Sequence, residues 1–123
     1  MDILIVDDEP QVAEVLAKSL SRQGHQARVA HSGQEALDML KASSPDALFL
    51  DVSMPGMNGL EVMAEVKRMK PSLAIVVITG HATPEEVEHV KRVGAVDVIP
   101  KPAALTHYHQ AIDRLQTKKT SRT

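Results

Sequence analysis

The chain has 123 residues, enough for one domain around one core and too few for two of ordinary size. It holds no cysteine, which excludes disulfides and thiol chemistry, and its net charge of −2 argues against a nucleic-acid surface as its main feature. No apolar run approaches the roughly 20 residues a membrane helix needs, and Met1-Asp2-Ile3 already reads as strand, so neither a membrane span nor a signal peptide is expected. The expected location is the cytoplasm.

Ile3-Leu4-Ile5-Val6 predicts a strand buried on both faces, and it ends in acid at Asp7-Asp8-Glu9. Pro10 suits the first position of a helix whose inner face carries Val12, Leu16, Ser19 and Leu20, with Gly24 as its stop. Gln26 to Ala30 is a short, weak strand. Ser32-Gly33-Gln34-Glu35 fits a capping box for a second helix carrying Ala36, Leu37 and Leu40, and Ser43-Ser44-Pro45 ends it. Ala47-Leu48-Phe49-Leu50 is the most apolar strand and terminates in Asp51. The breaker-rich loop Val52 to Gly59 leaves that carboxylate uncovered. Asn58 can cap a third helix with Leu60, Met63, Ala64 and Met69 on its inner side, and Pro71 stops it. Ala74 to Ile78 is a fourth strand, ending in Thr79. Thr83-Pro84-Glu85-Glu86 opens a helix with Val87 and Val90 inward, and Gly94 closes it. Ala95 to Ile99 is a last strand running into Pro100-Lys101-Pro102, and Leu105, Tyr108, Ile112 and Leu115 mark a final amphipathic helix. Residues 1–117 are thus expected to form the domain, and 118–123 a polar, basic tail or the start of a linker.

Strict strand–helix alternation predicts an α/β fold: a doubly wound, five-stranded parallel sheet in the order 2-1-3-4-5. Its switch point falls between the strands that end in Asp7-Asp8 and Asp51. Asp7, Asp8, Asp51, Thr79 and Lys101 all stand at carboxyl ends of strands, where such sheets bind ligands. Clustered carboxylates raise one another's pKa unless a cation sits among them, and a hard ion such as Mg²⁺ suits them. With Lys101 added, the set can attract an anion while presenting a carboxylate nucleophile. Phosphoryl transfer to Asp51 fits that chemistry.

These residues resemble the receiver domain of bacterial two-component response regulators. The resemblance runs from Ile3 to about Leu115 and is carried by Val6-Asp7-Asp8-Glu9, Leu50 to Gly59, Ile78-Thr79-Gly80 and Lys101-Pro102. It implies Asp51 as phosphoacceptor, Mg²⁺ (or Mn²⁺) held by Asp8, Asp51 and the Ser53 carbonyl with Asp7 acting through water, and Thr79 and Lys101 binding phosphoryl oxygens. It further implies a Lys101-Pro102 bond that is often cis. The expected partners are a sensor histidine kinase or phosphotransfer protein, docking near Gln11, Glu14, Val15, Lys18 and Pro102, and a downstream protein or a further output domain. No direct contact with nucleic acid or membrane is expected, and no enzymatic turnover beyond self-catalysed phosphorylation and dephosphorylation of Asp51. Val98 stands where the family usually has Tyr or Phe, and Ala103 where it commonly has Phe, so a different or weaker readout is expected. Ser53 and His81 flank the expected path of the hydrolytic water.

Taken singly, these residues have plainer roles. An acid pair after a strand can simply favour a helix N-terminus, Thr79 can be a turn residue and Lys101 a surface charge. His107 and His109, two residues apart, share no helix face that would hold a metal and read as surface residues, as do His25, His31 and His89. Two other functions compete with the signalling switch. A haloacid-dehalogenase-like phosphohydrolase would want a second Asp two residues after the nucleophile, where Ser53 stands. A pseudo-receiver or flavodoxin-like binding module would not need the full acid set and the lysine.

Overall fold

The apolar runs and amphipathic segments alternate as β1 (Asp2–Val6), α1 (Pro10–Arg22), β2 (Gln26–Ala30), α2 (Gly33–Ala42), β3 (Ala47–Asp51), α3 (Gly59–Met69), β4 (Ala74–Thr79), α4 (Pro84–Val93), β5 (Ala95–Pro100) and α5 (Leu105–Thr120). The computed structural model describes residues 1–54 and 58–120. Pro55, Gly56 and Met57 of the expected loop, residues 121–123 of the expected tail and the side chains of 118–120 lie outside the described residues. All strand pairs are parallel and the order is β2-β1-β3-β4-β5, as expected.

Side chains alternate across a strand, and both faces of this sheet are covered. One face sends Leu4, Val6, Leu48, Leu50, Ile75 and Val77 into a core closed by α2, α3 and α4. The other sends Ile3, Ile5, Ala47, Phe49, Val76 and Ile78 into a core closed by α1 and α5. This double burial explains why β1, β3 and β4 read as continuous apolar runs.

Helix ends follow the local chemistry. The Ser32 hydroxyl accepts the Glu35 N–H at 3.0 Å, and the Glu35 carboxylate accepts from His31 N–H at 3.1 Å, one residue earlier than a capping box would place it. Asn58 Oδ1 and Thr83 Oγ1 each accept at 3.2 Å, from the N–H of Glu61 and of Glu86. Gly94, at φ 140°, closes α4 in a backbone region that side-chain-bearing residues rarely adopt.

Leu16, Leu20, Met63, Tyr108 and Ile112 are buried as expected, but three helix faces differ at their margins. Val12 is 46 % exposed and Ala13 points inward, Ala64 is exposed and Val66 is buried, and Leu105 is 40 % exposed while Ala111 is buried. Helix α5 also continues through Thr117 to Thr120, where a tail is expected, since no Gly or Pro interrupts it.

Candidate functional site

Register brings the acids together. Val6 pairs with Leu50, so the residues that follow or close those strands, Asp7 and Asp51, emerge side by side. By alternation Asp7 continues the Ile3–Ile5 row and Asp51 the Ala47–Phe49 row, above the core covered by α1 and α5. Asp51 is 1 % exposed and Asp7 8 %, whereas Asp8 is exposed. One ligand oxygen from each of the three carboxylates lies within 4.8 Å of the others. A cleft of about 420 Å³ opens beside Asp8, between His31–Gln34 and Met54, Asn58 and Glu61.

The Asp51 carboxylate is held on both oxygens. Oδ1 accepts the Ser53 N–H at 2.8 Å, and Oδ2 accepts from the Lys101 ammonium at 2.6 Å. Lys101 arrives from the far end of the sheet because its own N–H donates to the Thr79 carbonyl at 2.8 Å, extending the β4–β5 pairing by one residue. Burial opposes the charge on Lys101, but Asp51, then Asp7 and Glu9, outweigh it and raise its pKa. The amine therefore stays charged. Asp7 is also raised: burial is the main cause, a hydrogen bond from the Glu9 N–H at 2.9 Å counters it, and Asp51 adds to it.

These observations fit a divalent cation. The donors are all carboxylate oxygens, the hard type that Mg²⁺ prefers, and the raised pKa of Asp7 marks a negative charge that its surroundings do not fully compensate. Thr79 is buried at the end of β4, and its hydroxyl accepts the His81 N–H at 3.0 Å, leaving the hydroxyl proton free to donate. Lys101-Pro102 is cis.

Several features were not foreseen in the sequence. The Ser53 hydroxyl accepts the Gly80 N–H at 2.9 Å, tying the loop after β3 to the loop after β4. Exposed His31 has its Nδ1 3.3 Å from the Asp7 carbonyl. His25 and His109 are half-buried rather than surface residues: the N-terminal amine donates to His25 Nδ1 at 3.1 Å, and His109 Nε2 lies 3.0 Å from the Ser19 hydroxyl. Neither carries a sequence signal, because each contact joins distant parts of the chain. Tyr108 packs against Phe49, with ring centroids 5.6 Å apart. Among the described residues no helix is long and apolar enough to cross a membrane.

Residues 3–113 match the family model described as response regulator receiver domain. Over 105 residues the chain is 45 % identical to the response regulator MprA of Mycobacterium avium, covering 85 % of this chain and 46 % of that protein. The chain thus spans about half the length of the curated relatives it matches. Among solved structures, the receiver domain of NtrX from Brucella abortus is 34 % identical with a TM-score of 0.84, over 93 % of this chain and 97 % of that one. TrrA from Thermotoga maritima, solved in complex with Mg²⁺-BeF, is 29 % identical with a TM-score of 0.80, over the same shares of 93 % and 97 %.

Proposed function

The chain belongs to the response regulator receiver domain family, and on that premise we propose that Asp51 accepts a phosphoryl group from a phosphohistidine on a sensor kinase or phosphotransfer protein. An Asp51 carboxylate oxygen bonds to phosphorus as the P–N bond breaks, and the departing imidazole takes a proton from solvent. One observation carries this reading: a buried carboxylate, paired with Lys101 at 2.6 Å, shares a pocket with two further acids whose oxygens lie within 4.8 Å. Asp8, Asp51 and the Ser53 carbonyl would hold Mg²⁺ or Mn²⁺, with Asp7 acting through water. The ion supplies charge neutralisation at the phosphoryl oxygens. Lys101 keeps Asp51 oriented beforehand and then pairs with a phosphoryl oxygen, and Thr79 donates its hydroxyl proton to another.

The donor docks on the outer face of α1, where Gln11, Glu14, Val15 and Lys18 are exposed, together with exposed Pro102 after β5. Phosphorylation then changes affinity for a downstream protein or for a further domain of a longer regulator, in the cytoplasm. No turnover of an outside substrate is part of this role. The position two residues after Asp51, where a phosphohydrolase would need an acid, holds a Ser53 hydroxyl already bonded to Gly80. The domain comprises residues 1–117, with the last residues of α5 running on to Thr120.

Incubation with acetyl phosphate and Mg²⁺ tests the proposal by intact-protein mass. One added phosphoryl group is expected, lost in EDTA and in Asp51→Asn. A folded wild-type protein that gains none overturns it.

A further inference from the structure

Asp8 is the exposed member of the acid cluster, and no hydrogen bond or ion pair among the described residues holds its carboxylate. Its aim is therefore set by the backbone it springs from. A binding constellation works when its groups are held within about 0.5 Å of the productive geometry, so something must fix that backbone. The grip comes from the end of β2. The Asp7 N–H donates to the Ala30 carbonyl at 3.0 Å, which carries the β1–β2 pairing one residue past Val6. The Asp7 carbonyl belongs to the same peptide as the Asp8 N–H, and it lies 3.3 Å from Nδ1 of His31. A carbonyl oxygen only accepts, so Nδ1 carries the proton and donates. The neutral ring protonated at Nδ1 and the doubly protonated ring can both make this bond.

His31 is itself firmly mounted. Its own N–H donates to the Glu35 carboxylate at 3.1 Å, in the first turn of α2, where the Ser32 hydroxyl caps the helix. The ring lines the cleft beside Asp8. It is exposed and belongs to neither buried core, so packing does not account for its place.

We propose that His31 is a positioning residue of the cation site: by donating from Nδ1 to the Asp7 carbonyl it fixes the Asp7–Asp8 peptide and so aims the Asp8 carboxylate. The inference rests on the reading of Asp8 as a cation ligand.

The probe is Mn²⁺, titrated into the whole chain at neutral pH and followed by the electron paramagnetic resonance signal of the free ion. His31→Phe keeps a ring and removes the donor. Its Mn²⁺ dissociation constant is expected to rise about three- to tenfold, the scale of one hydrogen bond. His31→Asn offers an amide N–H near the position of Nδ1 and should stay within about twofold of the wild type. Unchanged affinity in His31→Phe overturns the inference, and so does an equal loss in both variants, which would trace to the ring and not to the donor. Should His31→Phe prove unstable, nitrogen NMR of the wild-type imidazoles decides. His31 must be protonated at Nδ1 without the ion, and a ring protonated at Nε2 alone overturns the bond. Asp8→Asn is the control for place. Uptake that survives it, or no uptake by the folded wild type, overturns the reading of Asp8 as a ligand and this inference with it.

Discussion

Two residues, Asp7 and His25, are held by this fold in states that their charge resists. The proposed cation site would need Asp7 as a carboxylate, yet burial and neighbouring Asp51 both favour its neutral form. His25 shows the opposite sign at the other end of the sheet. Burial lowers its pKa, and the N-terminal amine and His109 lower it further, while Asp113 opposes them. As a neutral ring its Nδ1 accepts from the Met1 amine, and as a cation it cannot. The unfolded chain thus binds more protons than the folded one just below the ordinary histidine value of 6.5. Stability then rises with pH across that window, and is lost as pH falls from about 6.5 towards the lowered folded value. Urea unfolding at pH 7.5 and 5.5 should show a stability loss on acidification that is smaller in His25→Gln. An equal loss in both would remove His25 from the cause.

At the level of elements, strands were legible in the sequence and helix faces less so. An all-apolar run such as Ala47 to Leu50 has one reading when both faces are covered, and the position of Asp51 at its end follows. A helix face turns by 100° per residue, so a choice between Val12 and Ala13 rests on which is larger unless the neighbours are known. The small Ala13 goes inward while Val12 remains 46 % exposed. A close approach of two backbones appears where α3 begins. A Cβ on buried Gly59 would sit 2.5 Å from the Cβ of Val52 and 3.2 Å from its Cα. Val52 directly follows Asp51, and its N–H donates to the Ile78 carbonyl at 3.0 Å. Gly59→Ala must therefore displace Val52 or the start of α3. It should lower stability by about 1–3 kcal/mol, the usual scale of overpacking. Because the shift reaches the residue after Asp51, the rate of acetyl-phosphate labelling should fall as well. Normal labelling with normal urea stability would show that the loop absorbs the methyl group.

Across the whole molecule, the sheet end gathers residues separated by up to 94 positions, from Asp7 to Lys101, into one charged pocket. That convergence was legible because every member stands at a strand end, and strand order follows from right-handed crossovers. What the sequence could not carry were the links between loops, such as Ser53 to Gly80, and between helix and sheet, such as Tyr108 to Phe49. These depend on side-chain directions that no periodicity encodes. The pocket also sets up a trade between function and stability. Three carboxylates share one end of the fold, and the Lys101 ammonium is paired there with Asp51. A cation that binds the folded chain and not the unfolded one stabilises it by mass action, about 2.7 kcal/mol at a hundred times its Kd. For a domain of this size that is on the order of 10 °C in Tm. Thermal unfolding in EDTA and in increasing Mg²⁺ should therefore show a concentration-dependent rise. Asp8→Asn should abolish most of that rise with little change in EDTA, because Asp8 is exposed and its charge costs the empty fold little. Asp7→Asn should abolish it too, but start from a higher Tm in EDTA, because there the fold is relieved of a buried charge. A lower starting Tm for Asp7→Asn would mean that its bond from the Glu9 N–H outweighs burial, and that the acid pocket carries no cost for the cation to offset.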